Sequence, residues 1–316
     1  MIEPLVSIVI PTYKRAYKIQ ETINSVLSQT YKNWELIIID DNYKSSNDRM
    51  DTEVVMQKYI DHLNIKYIRH ATNKGACSAR NTGIAEAKGE YIAFLDDDDK
   101  WYADKLEKQL ELLNNNPELG FVYCNMVNID DYHKINMVTN FDEKSCTTLE
   151  LLRRGSGICT SALIVKRSLL LKLDGFDASL PSYQDYDLLL RMSRKTKSSC
   201  IVEPLLLYEV DPLGISKNMS GKFFGKKTIL KKYKFLYDDK LRRDYGNHIQ
   251  LLADYAILSG YRIDSILNYF LSIMYNPFAF KAYIKFMVVL VGGVRLYNVI
   301  FQSYRKVHYM HTHSEN

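Results

Sequence analysis

Four consecutive aspartates, Asp96–Asp99, are the residues of this 316-residue sequence whose type and spacing offer chemistry most directly. Adjacent carboxylates repel one another, and near a closed sheet they are costly unless a cation offsets the charge. If the segment stays extended, alternate residues share a face, grouping Asp96 with Asp98 and Asp97 with Asp99. Hard oxygen ligands suit Mg2+ or Mn2+, and Mg2+ commonly takes only one or two carboxylates together with phosphate oxygens. The run is suited to a diphosphate ligand. A solvated acidic turn is the alternative that these residues alone leave open.

The elements around the acids must position them. Leu5–Ile10, Trp34–Ile39, Ile65–Ile68, Tyr91–Leu95 and Phe121–Tyr123 read as short apolar strands. Between them, Lys14–Tyr31, Val54–Leu63, a segment closing at Asn81–Ala87, and Asp104–Leu113 carry helical spacing. Strands alternating with helices predict parallel strands covered by helices, an α/β fold. Asp40–Asp41 and the four-aspartate run both follow apolar strands directly, and in open parallel sheets the carboxyl edge is where ligands bind. No GxGxxG follows the first strand and no GxxxxGK[ST] occurs, so a dinucleotide site and a P-loop lose their main support.

Composition agrees with a globular chain: 47% apolar, 25% charged, only 14 Gly and 7 Pro. Five widely spaced cysteines without a CxxC argue against a disulfide framework or zinc site and for a reducing compartment. The N-terminus enters an apolar strand without a basic-then-apolar leader, so no secretion signal is expected. The net charge of +5 is concentrated: Lys217–Arg243 holds ten Lys and Arg against two Asp, and the remainder is net acidic. Such a band can serve nucleic acid, an anionic membrane or solubility. No nucleic-acid module accompanies it, and no nucleic-acid partner is expected.

Val6-Ser7-Ile8-Val9-Ile10-Pro11-Thr12-Tyr13-Lys14-Arg15 resembles the opening strand of family-2 glycosyltransferases of the GT-A fold. Ser28–Tyr31 followed by Trp34–Asp41 is similar to their second strand. Asn73-Lys74-Gly75 with Ala79–Ile84, Gly89–Asp99, and finally Gly175-Phe176-Asp177 with Gln184–Arg191 resemble their later signatures, in the right order over about residues 4–210. The resemblance implies an α/β/α sandwich with a mostly parallel central sheet over residues 1–215, followed by a helical, basic region over 216–316. It also implies a nucleotide-diphospho-sugar donor, with UDP as the expected nucleotide. On that basis Pro11, Thr12 and Tyr13 line the base, and Asp41 accepts from a uracil N–H. Arg80 lies near the base or diphosphate. Asp96 and Asp97 hold the ribose and the metal-site geometry, and Asp98, with Asp96, ligates Mn2+ or Mg2+.

Sugar transfer from such a donor needs the leaving diphosphate stabilised and the acceptor hydroxyl deprotonated. The resemblance assigns the second task to Asp185, as the general base of a single inverting displacement, with Asp187 as a rival. The family pattern has Glu-Asp where this chain has Gln184-Asp185, and the neutral neighbour removes one like-charge interaction. Asp185 and Asp187 also suit a plain helix start, where acids meet the positive dipole end. No Gln-x-x-Arg-Trp motif follows, the only tryptophans being Trp34 and Trp101, so one sugar per encounter is expected.

In the C-terminal third, Gly214-Ile215-Ser216 is similar to a donor-closing loop. Over Lys222–Lys240 an apolar face (Ile229, Leu230, Tyr233, Leu236, Tyr237) opposes Lys227, Lys231 and Lys234, a basic amphipathic pattern that either meets a membrane or is the solvated face of a packed helix. Phe286–Val294 reads as too short to span a bilayer. Tyr and Phe interleaved with Lys281, Lys285, Arg295, Arg305 and Lys306 suit a helix lying in a membrane interface, and equally one that packs a dimer or covers the catalytic domain. The expected setting is cytoplasmic, peripheral on the inner face of the membrane, with a glycan or lipid-linked acceptor in surface polysaccharide synthesis. A lapsed nucleotide-sugar-binding protein and a polyprenyl-phosphate glycosyltransferase are the competing functions. His308, His311 and His313 read as a tail rather than a metal site.

Overall fold

The structure is a computed structural model and describes residues 3–129, 135–155, 157–210 and 218–302. Its strands are β1 (Val6–Thr12), β2 (Trp34–Asp40), β3 (Ile65–Arg69), β4 (Tyr91–Phe94), β5 (Lys100–Trp101), β6 (Leu119–Ile129), β7 (Ile135–Val138), β8 (Ile164–Lys166) and β9 (Lys197–Glu209). The α-helices are α1 (Ala16–Leu27), α2 (Asn47–Met56), α3 (Ala76–Glu86), α4 (Lys105–Asn115), α5 (Thr148–Arg154), α6 (Arg167–Lys172), α7 (Gln184–Ser193), α8 (Met219–Tyr233), α9 (Arg242–Leu258), α10 (Arg262–Tyr275) and α11 (Phe280–Tyr297).

Among the described residues the strands form one sheet in the order β3-β2-β1-β4-β8-β6-β9-β5, with β7 added on β6. β3, β2, β1 and β4 are mutually parallel, and so are β6 and β9. β8 runs against β4 and β6, β5 against β9, and β7 against β6. The expected α/β architecture with a mostly parallel sheet and a following helical region is present. β1 is buried along its whole length and β2 nearly so, as apolar runs covered on both faces must be. Thr12 stands opposite Asp40 and Val9 opposite Phe94, so the carboxyl ends of β2, β1 and β4 line one edge. Both acidic clusters therefore open on that edge.

Two compact units are present. The first comprises Met1–Leu151, Ser156–Ser179 and Gln184–Pro212; the second comprises Leu152–Gly155, Leu180–Tyr183 and Leu213–Asn316. Within the second, α8 turns Phe223 and Leu230 onto Tyr245, Ile249, Leu252 and Ala256 of α9. Ala253 and Ile257 of α9 pack with Tyr269, Val289 and Tyr297.

Three local expectations change. The helix expected at Val54–Leu63 begins earlier, at Asn47, because the Ser46 side chain caps it by accepting from Arg49 N–H, and it passes into a 3-10 turn at Gln57–Tyr59. The basic amphipathic helix ends at Tyr233, with a 3-10 turn at Lys234–Leu236; Ile229, Leu230 and Tyr233 are buried, Leu230 in the unit's own core. The run expected to be too short for a bilayer lies inside a helical segment, Phe280–Phe301, whose 22 residues and mean hydropathy of 1.7 meet the length and composition of a membrane span; only 17% of its most apolar stretch is buried. Helical backbone extends beyond the apolar run on both sides. The Gly214–Ser216 loop, Arg305, Lys306 and the three C-terminal histidines lie outside the described residues.

Candidate active site

At the end of β2, Asp41 is 2% exposed and its carboxylate organises the loop that follows β3. It accepts from Lys74 N at 2.9 Å, Gly75 N at 2.8 Å, Asn73 Nδ2 at 2.9 Å and His70 Nδ1 at 2.7 Å. The Asn73-Lys74-Gly75 signature is thereby fixed in front of α3. Neighbouring Asp40 pairs with buried Arg49, Nε to Oδ2 at 2.9 Å, and also accepts from Tyr67. Arg49 further donates to the carbonyls of Asp40 and His70 at 3.2 and 2.7 Å and to that of Asn42. One guanidinium thus closes the turn beneath Asp41.

The four-aspartate run divides its work. Asp97 Oδ2 accepts from the Tyr13 backbone N–H at 3.3 Å, tying the run to the end of β1, where Pro11 and Thr12 are buried. Arg15 Nη1 lies 3.0 Å from Asp97 Oδ1 and 3.2 Å from Asp98 Oδ2. Asp99, fully buried, accepts from Glu209 N at 3.1 Å, and Thr22 Oγ1 donates to the carbonyls of Asp97 and Asp99 at 3.0 Å. Burial pushes the Asp97 carboxyl above its ordinary range although Arg15 opposes it. Asp98 is pushed up to about 7 by burial first and then by Asp97, against the pull of Arg15.

Asp96 is partly exposed, is held by a hydrogen bond between its backbone N–H and Ser161 Oγ at 3.0 Å, and pairs with Arg80 from α3. The Arg80 guanidinium stacks 5.5 Å from the Phe176 ring centroid. Asn81, the next residue, clamps the Phe176 backbone from both sides: its Nδ2 donates to the carbonyl and its Oδ1 accepts from the N–H, each at 2.8 Å. Two signatures 95 residues apart are locked together by this amide. Gly175 before them has φ +61°, and a Cβ there would lie 2.4 Å from Asn81 Oδ1, so glycine is required twice over.

Asp185 is the second residue of α7, with Oδ1 accepting from Tyr186 N at 2.7 Å. Desolvation raises its carboxyl, Tyr186 N–H and the charge of Arg80 lower it, and Asp96 raises it again. The start of α7 and the acidic run therefore share one electrostatic neighbourhood around Arg80. Asp187, fully buried, is held by Arg191 at 2.7 Å, and Arg191 in turn donates to the Leu173 carbonyl at 2.7 Å. Of the two acids at this helix start, Asp187 is committed to a structural pair.

No group of three or more His, Cys, Asp or Glu is arranged to hold a metal ion among the described residues. Divalent cations on phosphate ligands need fewer protein donors than that. Asp96 and Asp98 supply hard oxygens, and a single Arg15 amino group shared between two buried carboxylates leaves charge that burial penalises. The residues fit Mg2+ or Mn2+ held jointly with a diphosphate.

A family model described as "Glycosyl transferase family 2" matches residues 7–172, more than half of the sequence. The chain belongs to glycosyl transferase family 2. A protein of Haemophilus influenzae named only as an uncharacterized glycosyltransferase is 33% identical over 192 residues, covering 60% of this chain and 62% of that one. An Escherichia coli enzyme, UDP-Glc:alpha-D-GlcNAc-diphosphoundecaprenol beta-1,3-glucosyltransferase WfgD, is 35% identical over 197 residues, covering 62% of this chain and 73% of its own. The chain spans as little as 28% of another similar protein, an uncharacterized glycosyltransferase of Rickettsia bellii. S. aureus TarS 1-349 in complex with UDP shares the fold at a TM-score of 0.62 and 18% identity, covering 95% of this chain and 91% of that one.

Several residues around these acids have no role that the sequence alone assigns. Arg15 sits in the opening signature, and its signal was a cation close to a strand end facing unbalanced acids. Asn81 lies inside the Ala79–Ile84 signature, which does not reveal its partner Phe176. Arg49 and Ser161 had no local signal, since their partners lie far along the chain.

Proposed function

We propose that the protein is an inverting, divalent-cation-dependent transferase. It moves a single sugar from a UDP-sugar to a hydroxyl of a lipid-linked or glycan acceptor, in surface polysaccharide synthesis at the inner face of the membrane. What supports the reading is the Arg80–Asp96 ion pair at the carboxyl edge of the sheet, together with the pull of the Arg80 charge on the Asp185 carboxyl, which would give one anionic centre for a donor and one for an acceptor. In this reading Asp41, whose carboxylate is filled by His70, Asn73, Lys74 and Gly75, shapes the loop beside the uracil rather than accepting from it, Pro11, Thr12 and Tyr13 line the base, and Asp96 and Asp97 hold the ribose side. Asp98, with Asp96, would hold the cation, which supplies Lewis-acid stabilisation of the departing diphosphate. Arg80 holds Asp96 and orients the run. With Oδ1 occupied by the Tyr186 N–H, Asp185 takes the acceptor proton at Oδ2 as the hydroxyl attacks. Raised by burial, Asp185 is a stronger base than an exposed aspartate, which suits proton removal from an alcohol. A diphosphate leaving group needs no protonating acid, so one carboxylate suffices.

The test is a donor panel with and without Mn2+, read by UDP release and by the anomeric configuration of the product. Cation-dependent UDP release with an inverted product supports the reading. Nucleotide-sugar binding without turnover would instead support a lapsed binder.

A further inference from the structure

The helical unit carries a surface that its own core does not use. On α10, Ile263, Leu267, Phe270, Leu271 and Met274 are exposed, and on α11 so are Phe280, Tyr283, Ile284, Met287, Leu290 and Val291. Each set recurs at three- and four-residue intervals and forms one stripe, while Tyr269 and Val289 on the opposite faces enter the core. Phe270 is 54% exposed, Ile284 57% and Val291 74%. An apolar surface of this kind on two packed helices marks an interaction site.

The surrounding charges say what covers it. From Ser265 to Gln302 the sequence contains no Asp or Glu. At the turn between the two helices Arg243 lies 5.0 Å from the ring centroid of exposed Phe278, Arg242 lies 5.9 Å from that of Tyr275, and Lys281 is exposed beside Phe280. Apolar stripes rimmed by aromatics and cations, with the one acid of α10 and α11, Asp264, paired to Lys227, match an anionic lipid surface. A symmetric contact between two copies would set these cations against each other with no acid in the stretch to receive them.

Length and composition alone would allow Phe280–Phe301 to cross the bilayer, but two features oppose that. Gly293 has non-helical backbone at φ 57°, so the unbroken helix from Phe280 to Gly292 rises only about 20 Å against a hydrocarbon core of ~30 Å. Lys285 donates to both oxygens of Asp254 at 2.8 and 2.6 Å, and Tyr269 and Tyr297 donate to the same carboxylate. This network ties α11 to α9 and α10, and spanning would break it. We infer that the outer faces of α10 and α11 form an in-plane docking surface for an anionic lipid bilayer. The inference rests on the membrane setting proposed above, though not on the reaction.

The test is flotation of the full chain with phosphatidylcholine vesicles and with vesicles of equal parts phosphatidylglycerol and phosphatidylcholine, at low and high salt. The expected result is salt-sensitive binding to the anionic vesicles only, lost roughly tenfold in Phe270→Glu and in Ile284→Glu. Leu63→Glu, at a still more exposed apolar position of the other unit, should bind as wild type. Phe280→Trp, Met287→Trp and Val299→Trp, read by brominated-lipid quenching, should report one shallow depth. Binding unchanged in both glutamate variants, a deep Met287→Trp between shallow ends, or a dimer that these variants dissociate without any flotation would each overturn the inference. UDP release without vesicles, measured on the same preparations, separates failure here from failure of the proposed reaction.

Discussion

At the scale of single residues, the site places buried acids where their charge is expensive, and the consequences can be measured. Asp185 works ionised, and burial raises its pKa, so turnover should fall as pH drops through a value above the ordinary carboxylate range. Asp185→Asn should lower kcat by about 10²–10⁴-fold and remove that acid limb, while leaving UDP affinity within about twofold of wild type, as calorimetry would show. Asp98 behaves differently. Its pKa of about 7 in the folded chain exceeds the unfolded value, so the metal-free protein should lose stability as pH rises from the usual aspartate range through neutrality. Asp98→Asn should therefore raise the melting temperature of the metal-free protein at pH 8 by roughly 2–4 °C. It should also abolish the cation dependence of UDP binding, and a variant that melts lower but keeps that dependence would contradict both assignments.

At the scale of elements, the site rests on long-range clamps. Asn81→Ala removes both hydrogen bonds to Phe176 and should cost about 1–3 kcal/mol in urea unfolding. Gly175→Ala combines a positive φ with a collision at Asn81 and should cost at least as much. These elements also show what was readable beforehand. β1, β2 and β4 are legible as short, largely apolar runs, β2 and β4 running into acids and β1 stopped at Pro11, and α4 because Leu106, Leu110 and Leu113 keep helical spacing and are buried. The start of α2 was not, because its buried positions are Arg49, Thr52 and Met56, two of them polar, and only the Ser46 cap marks it. β8 could not be foreseen as the partner of β4 and β6, since antiparallel insertion of a three-residue strand leaves no period to read. Within the site, the acids could be read as a class, whereas Arg15 bridging Asp97 and Asp98, and Arg191 taking Asp187 out of contention, are facts of three-dimensional pairing.

At the scale of the whole molecule, charge and ligand occupancy should govern behaviour together. UDP at about 100 times its dissociation constant should add roughly 2.7 kcal/mol to stability. For a chain of this size that corresponds to an increase in melting temperature of roughly 4 °C. The increase should require Mn2+ and vanish with EDTA; an equal increase without cation would detach the acidic run from nucleotide binding. A further consequence follows from the way Leu152–Gly155 and Leu180–Tyr183 belong to the helical unit while the chain on either side of each belongs to the other. His248 donates to the Leu152 carbonyl at 2.7 Å, and Tyr183 donates to Tyr255 at 3.0 Å, so both short pieces are committed there. No single cut yields two complete modules: a gene fusion or truncation at the 212/213 junction strands both pieces, and Tyr183 stands only two positions ahead of Asp185. Exchanging helical regions among relatives by one crossover would carry off half of a shared lattice. A grafted tail must bring matching residues at 152–155 and 180–183 as well.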